Sequence, residues 1–289
     1  MRSKIGQFAK NHLKMQTWKV ALPMYNVGSA LTADYERFLE AVIALLRARG
    51  WRDAIEVVRD IDDLERFWLR SDLLLSQTCG YPLTTSLHGQ VQLVGTPTYD
   101  VLGCSEYFYR SLLVIRADDT DSRLSQPMPT LADFRGRIGV VNQLNSHSGM
   151  NALRHTVAPF AHKGYFFDKV HISGSHLDSL AMVQSGAADM AAIDCVSFAY
   201  VAHAFPDKVV GLRILQESLA APGLPFIASL QLNQAQSVVL VEALETVCAN
   251  LQIAAPLRIT GFARTLEKDY QIVRSMEESA IAAGYPRLA

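Results

Sequence analysis

The sequence predicts an α/β fold of two doubly wound α/β domains joined by a two-strand hinge. Short apolar strands alternate with amphipathic helices from Trp18 to Gly95 and again from Ile138 to Leu215, the order of mainly parallel sheets flanked by helices. Between the two runs, Asp, Ser and Pro break every periodic pattern over Asp118–Pro129,. With 289 residues, 49% of them hydrophobic, the chain can bury two cores,.

The first strand is expected at Trp18–Pro23, followed by a turn over Tyr25-Asn-Val-Gly-Ser. A helix is expected over Ala33–Arg49, because Tyr35, Phe38, Leu39, Val42, Ile43 and Leu46 recur at helical spacing, with Thr32 as N-cap and Gly50 as stop,. Strand Ile55–Arg59, helix Asp62–Leu69, strand Asp72–Ser76 and strand Val91–Gly95 continue the alternation, and Tyr109–Ile115 forms the strand that leaves the first unit. The second unit holds strand Ile138–Val141, a helix after Ser148, strand Lys169–Ile172, a helix from near His176, strand Asp189–Asp194 and another helix. Strand Gly211–Leu215 leads back through Ala221-Pro-Gly-Leu-Pro225 to helical stretches at Gln234–Leu251 and Leu266–Ala283. The chain therefore crosses between the units twice. The expected division is a discontinuous domain of residues 15–112 plus 217–289, an inserted domain of residues 113–216, and an extension over residues 1–14.

Composition excludes several classes. Lys and Arg number 27 against 28 Asp and Glu, so no basic field favours nucleic acid,. No stretch approaches the about 20 apolar residues that span a bilayer, which argues against direct membrane insertion. Cys79, Cys104, Cys195 and Cys248 form no Cys-x-x-Cys pair; they read as small buried side chains, with a Cys79–Cys104 disulfide as the alternative,. His147, His155, His162, His171 and His176 crowd one region without metal-ligand spacing, so neither metal nor cofactor is expected,. Residues 1–19 are basic, with Arg2, Lys4, Lys10, Lys14 and Lys19, but lack the apolar core and cleavage site of a secretory leader, and Met15 is a candidate start,.

Three segments carry candidate chemistry. In Asn145-Ser-His-Ser-Gly149 an apolar strand passes through hydroxyl residues into a helix start. Unpaired backbone N–H groups, Ser146, His147 and Ser148 would there cradle an anion, with Gly149 permitting close approach; a plain Ser N-cap is the alternative. Ser173-Gly-Ser-His-Leu-Asp178 matches a capping box and places His176 in an exposed first turn, as an anion donor or as a solvated or structural histidine,. Asp194 ends the apolar strand Ala188-Asp-Met-Ala-Ala-Ile-Asp194, which makes it either a ligand group or the cap of the following helix,.

The ordered set Tyr109-Arg-Ser111, Leu131-Ala-Asp-Phe-Arg-Gly136, Ser146-His-Ser-Gly149, Gly174-Ser-His176 and Ala192-Ile-Asp194 resembles the phosphate, phosphite and phosphonate solute-binding proteins of ABC importers. The likeness extends over residues 18–285 and takes in Gln77-Thr-Cys-Gly-Tyr-Pro82 and Pro222-Gly-Leu-Pro225. It implies the hinged type II periplasmic-binding-protein fold, a small oxyanion ligand, an ABC permease as partner and a periplasmic location, while the absence of a recognisable leader keeps a cytoplasmic location open. By position, Ser146, His147 and Ser148 would hold the oxyanion, with Tyr109 and Ser111 at the crossing and His176 and Asp194 opposite. Tyr25 and Tyr81 join them from their places after strands. His147 stands where phosphonate-binding members usually carry threonine, so the ligand is expected to differ from theirs, and the aromatic often found at the start of the second helix in those members has no counterpart near Asp62 and Asp63, which argues against an aminoalkylphosphonate. The alternative function is a cytoplasmic sensor or an enzyme of thiamine or pyrimidine biosynthesis on the same fold, with His147, Asp194 and Cys195 as its reactive groups.

Overall fold

The computed structural model describes residues 16–117 and 129–289. The expected extension, the candidate start at Met15 and all but the last residue of the Asp118–Pro129 loop lie outside the described residues.

Two sheets organise the molecule. The first is six-stranded, in the order β13-β4-β12-β3-β1-β2, from strands β1 (Thr17–Val20), β2 (Ala54–Val57), β3 (Leu73–Gln77), β4 (Val91–Tyr99), β12 (Phe226–Ser229) and β13 (Ile259–Ala263). The second has the order β10-β6-β9-β7-β8, from β6 (Ser111–Arg116), β7 (Ile138–Val141), β8 (Lys169–Ile172), β9 (Met190–Asp194) and β10 (Leu212–Glu217). Between them β5 (Phe108–Tyr109) pairs with β11 (Ala221–Pro222), so the two crossings run side by side. Ser111 and Ser218 fasten them, through Ser218 N–H to the Ser111 carbonyl at 2.8 Å and Ser111 N–H to Ser218 Oγ at 2.9 Å.

The sheets are mixed rather than mainly parallel. β1 runs parallel to β2 and β3, and β7 parallel to β8 and β9, but β12, β4 and β13 pair antiparallel, as do β6 with β9 and β10. The strands that enter and leave through the crossings reverse direction, and helix alternation alone does not reveal that. β4 also extends four residues beyond the expected Gly95. Its Gly95, at φ 150°, lies where a Cβ would meet the Phe262 ring at 2.2 Å, so the residue that interrupts the strand pattern is the one that lets β13 pack,.

Helix α1 (Ser29–Ala48) starts four residues before the expected point. Gly28, at φ 84°, turns the chain into it, and the Thr32 hydroxyl bonds the Gly28 carbonyl from inside the first turn instead of capping. Its stripe of Tyr35, Phe38, Leu39, Val42 and Leu46 is buried, each large side chain contributing about 1.5–3 kcal/mol of burial,. The short helices α2 (Leu64–Trp68) and α3 (Gly80–Thr84) follow β2 and β3. In the second unit a π-turn (His147–Asn151) runs into α4 (Ala152–Val157), and α5 (His176–Ser185) and α6 (Cys195–Ala204) follow β8 and β9. Helices α7 (Gln234–Cys248) and α8 (Leu251–Ala254) cover the first sheet, and α9 (Gln271–Ala282) is the last helix.

Helix α9 touches both units. Glu277 accepts hydrogen bonds from Tyr81 on α3 at 2.5 Å and from Arg154 on α4 at 3.0 Å. The Ala289 carbonyl accepts the N–H groups of Phe166 and Phe167, and Tyr285 is buried among second-unit side chains. The end of the 217–289 segment is thus shared between the units rather than confined to the first.

Candidate functional site

A cavity of about 550 Å3 opens between the two sheets. Its walls are the segments that follow the carboxyl ends of β1, β3, β7, β8 and β9, the position at which α/β sheets bind ligands,.

After β7, Ser146 caps the π-turn, accepting the Gly149 N–H on its Oγ at 3.0 Å,. The Ser146 and Ser148 hydroxyls lie 3.4 Å apart, and Ser148 Oγ contacts His176 Nε2 at 3.0 Å. These three side chains line the cavity as one hydrogen-bonded row. Gly149 lies behind it: a Cβ would come within 1.8 Å of Asn142 Oδ1, so the glycine lets the turn close on Asn142, and its N–H is engaged by Ser146 rather than offered to a ligand.

His176 is not in an exposed turn. Ser175 caps α5 through the Asp178 N–H, as the capping pattern implied, but the imidazole folds inward onto Ser148 and its Nδ1 is buried without a hydrogen-bond partner among the described residues. Burial lowers its pKa to about 4, so it acts as a neutral ring,.

Asp194 caps the following helix, as one of its two expected roles had it, and also lines the cavity. Oδ1 accepts the Val196 and Ser197 N–H groups at 2.7 and 3.0 Å and caps α6, while Oδ2 accepts the Tyr25 hydroxyl at 3.1 Å. Desolvation raises its pKa to about 6, against the lowering effect of these hydrogen bonds. Tyr25, after β1, is held edge-on by Tyr99 and Tyr200, each with its ring centroid 5.7 Å away.

His147 lies in the wall instead of the cavity. It is 2% exposed, its Nδ1 faces the Asn151 amide at 3.2 Å, and its N–H donates to Cys79 Sγ at 3.1 Å. Burial, with His155 nearby, lowers its pKa to about 3. Tyr109 is also behind the lining, its ring 6.2 Å from that of His147 and its hydroxyl buried without a hydrogen-bond partner among the described residues. Ser111 is a crossing residue, paired in β6 opposite Asp194. Tyr81 is bonded to Glu277 and does not line the cavity. Cys79 touches His147 and Cys195 touches Cys104, so the Cys79–Cys104 alternative finds no contact.

Sequence reasoning passed over Met24, Val27, Asn142, Gln143, Leu177 and Phe205, which also line the cavity. Four of them follow strands directly enough to have been found by extending each strand end by two residues or a short loop. Phe205 is recognisable only in three dimensions: at the far end of α6 its ring comes within 2.9 Å of a Cβ built on Gly28, which makes Gly28 the seat for a ring from the opposite unit. Among the described residues, no lysine or arginine lines the cavity.

Two units on a paired crossing, with a polar row at the strand ends between them, have the two-lobed architecture of the type II periplasmic-binding-protein fold. The family model described as "ABC transporter, phosphonate, periplasmic substrate-binding protein" matches residues 55–270, and the chain belongs to that family. Solved structures share the fold. A binding protein component of an ABC phosphonate transporter from Pseudomonas aeruginosa is 15% identical, with TM-score 0.73 over 93% of this chain and 88% of that one. PhnD1 from Prochlorococcus marinus, solved with methylphosphonate, is 16% identical, with TM-score 0.71 over 91% and 97%. XAC2383 from Xanthomonas citri, solved with ATP, is 15% identical, with TM-score 0.65 over 93% and 98%. No curated protein sequence matches the chain.

Proposed function

We propose that this chain captures a small oxyanion bearing an organic group, a phosphonate or a close relative, between a lobe of residues 15–112 with 217–289 and a lobe of residues 113–216. The observation that carries this reading is the Ser146–Ser148–His176 row facing Asp194 in a cavity lined by no cation among the described residues. Neutral hydroxyls and the dipole of the turn then meet the negative charge. Asp194, an acceptor, requires a proton on the ligand, which favours the singly ionised acid. The half-buried Pro23, Met24, Val27, Leu64, Leu177 and Phe205 suit an apolar substituent better than a fourth oxygen,.

Contacts from both lobes favour the closed arrangement, so binding and closure are one equilibrium, and the closed form is what a membrane permease would recognise in the periplasm. His147 supports this arrangement from behind, through Asn151 and Cys79, and Tyr109 backs it. Titration calorimetry with methylphosphonate, phosphite, phosphate and methanesulfonate tests the reading. Binding of methylphosphonate that weakens at least tenfold in Ser148→Ala is expected; absence of binding across the panel rules the oxyanion reading out.

A further inference from the structure

The sulfurs of Cys104 and Cys195 lie 3.5 Å apart, although the residues are 91 positions apart in sequence. Cys104 lies on the segment between β4 and β5, before the chain first crosses, whereas Cys195 opens α6 beyond β9 of the second sheet. The neighbouring backbone is already fitted to this contact. Gly103, at φ 94°, passes so close that a Cβ there would sit 2.9 Å from Cys195 Cβ, and the Cys195 N–H is fixed by the Arg110 carbonyl at 3.1 Å. A disulfide asks the two sulfurs to close from 3.5 Å to about 2.05 Å,.

We propose that Cys104 and Cys195 form a cross-linking site, whose disulfide fastens the entry to the crossing to the start of α6 and so restrains Asp194. Cys104 is half-buried and Cys195 is buried, so Cys104 meets the oxidant. Its thiolate attacks a small-molecule or protein disulfide, releasing one thiol and leaving a mixed disulfide on Cys104. The Cys195 sulfur, once deprotonated, then attacks the Cys104 sulfur and releases the second thiol. Two protein thiols lose two protons and two electrons, and the oxidant disulfide becomes two thiols. The Cys104 contact, burial and nearby Asp194 all raise the pKa of the Cys195 thiol, so the second step is slow in the packed protein and faster during folding,. The link would close a loop containing most of the second lobe, and loops of that length restrict the unfolded chain most.

The test uses the full chain refolded in oxidised or reduced glutathione, alkylated under denaturing conditions and mapped by mass spectrometry. The expected product after oxidation is a Cys104–Cys195 linked peptide pair, reversed by reductant, with Cys79 and Cys248 alkylated. A rise of about 5 °C in thermal midpoint should accompany it and vanish in Cys104→Ser. Alkylation of all four cysteines, or linkage through Cys79 or Cys248, overturns the site; linkage without a shift in midpoint overturns the restraint. Should Cys195→Ser fail to fold, the Cys104→Ser variant still decides the question.

Discussion

The Tyr25 hydroxyl donates to Asp194 Oδ2 at 3.1 Å, joining the loop after β1 of the first sheet to the end of β9 of the second. It is a bond across the cavity, and the carboxylate it reaches is fixed on its other oxygen by the start of α6. Tyr25→Phe keeps the ring against Tyr99 and Tyr200 but leaves Oδ2 without that donor. The expected results are a loss of about 1–2 kcal/mol in chemical denaturation and an Asp194 pKa above the present value of about 6, read by carboxyl NMR,. An unchanged titration would contradict the role assigned to this bond.

Gly149→Ala places a Cβ against Asn142 Oδ1, where the available gap is 1.8 Å. A destabilisation of about 1–3 kcal/mol is expected, and Asn142→Ala in the same chain should recover part of it because the clash is with a side chain. Strict additivity in the double-mutant cycle would mean that the two residues do not press on each other.

Much of the frame was legible because the signals are local. The stripe from Tyr35 to Leu46 on α1, the capping pattern at Ser175, and Asp194 at a strand end all depend on neighbours a few residues away. The antiparallel pairing of β12 and β4 was not legible, because it arises where the chain returns through the crossing. The cavity was legible in part. Ser146, Ser148, His176, Asp194 and Tyr25 line it, as their positions after strands implied, whereas the His147 ring turns into the wall because the π-turn aims it at Asn151. Tyr81 is drawn away by Glu277, on a helix 196 residues later, and no local pattern reports that contact.

Glu277 joins Tyr81 of the first unit to Arg154 of the second, and its side chain is 17% exposed against 6% for Arg154. Glu277→Gln keeps the shape but removes the negative partner of a largely buried guanidinium, which stays charged,. A loss of roughly 2–4 kcal/mol is expected by denaturant titration, with the midpoint more sensitive than ligand affinity. A change below 0.5 kcal/mol, on the order of surface pairs, would mean that this pair does not help join the two units.

Acid should weaken the fold before it reaches the ordinary carboxylate range. Folded His147 and His176 titrate at about 3 and about 4 against a usual 6.5, so between those values and pH 6.5 the unfolded chain binds more protons and stability falls as pH drops,. Asp194 acts in the opposite direction between its usual 3.8 and about 6, where the folded chain holds the extra proton. Two histidines outweigh one carboxylate, and a loss of roughly 2 kcal/mol from pH 7 to pH 5 is expected from denaturation curves. Greater stability at pH 5 would reverse the assigned order.

The central claim, that the serine row and Asp194 together hold a singly ionised organic oxyanion, is tested most directly by calorimetric titration of methylphosphonate at several pH values. Wild type and Ser148→Ala are compared in the same series. The predicted result is one site per chain in the wild type, affinity that falls as the ligand loses its second proton, and at least tenfold weaker binding in Ser148→Ala. Equal affinity in the two proteins, or tighter binding of the fully ionised ligand, would contradict it.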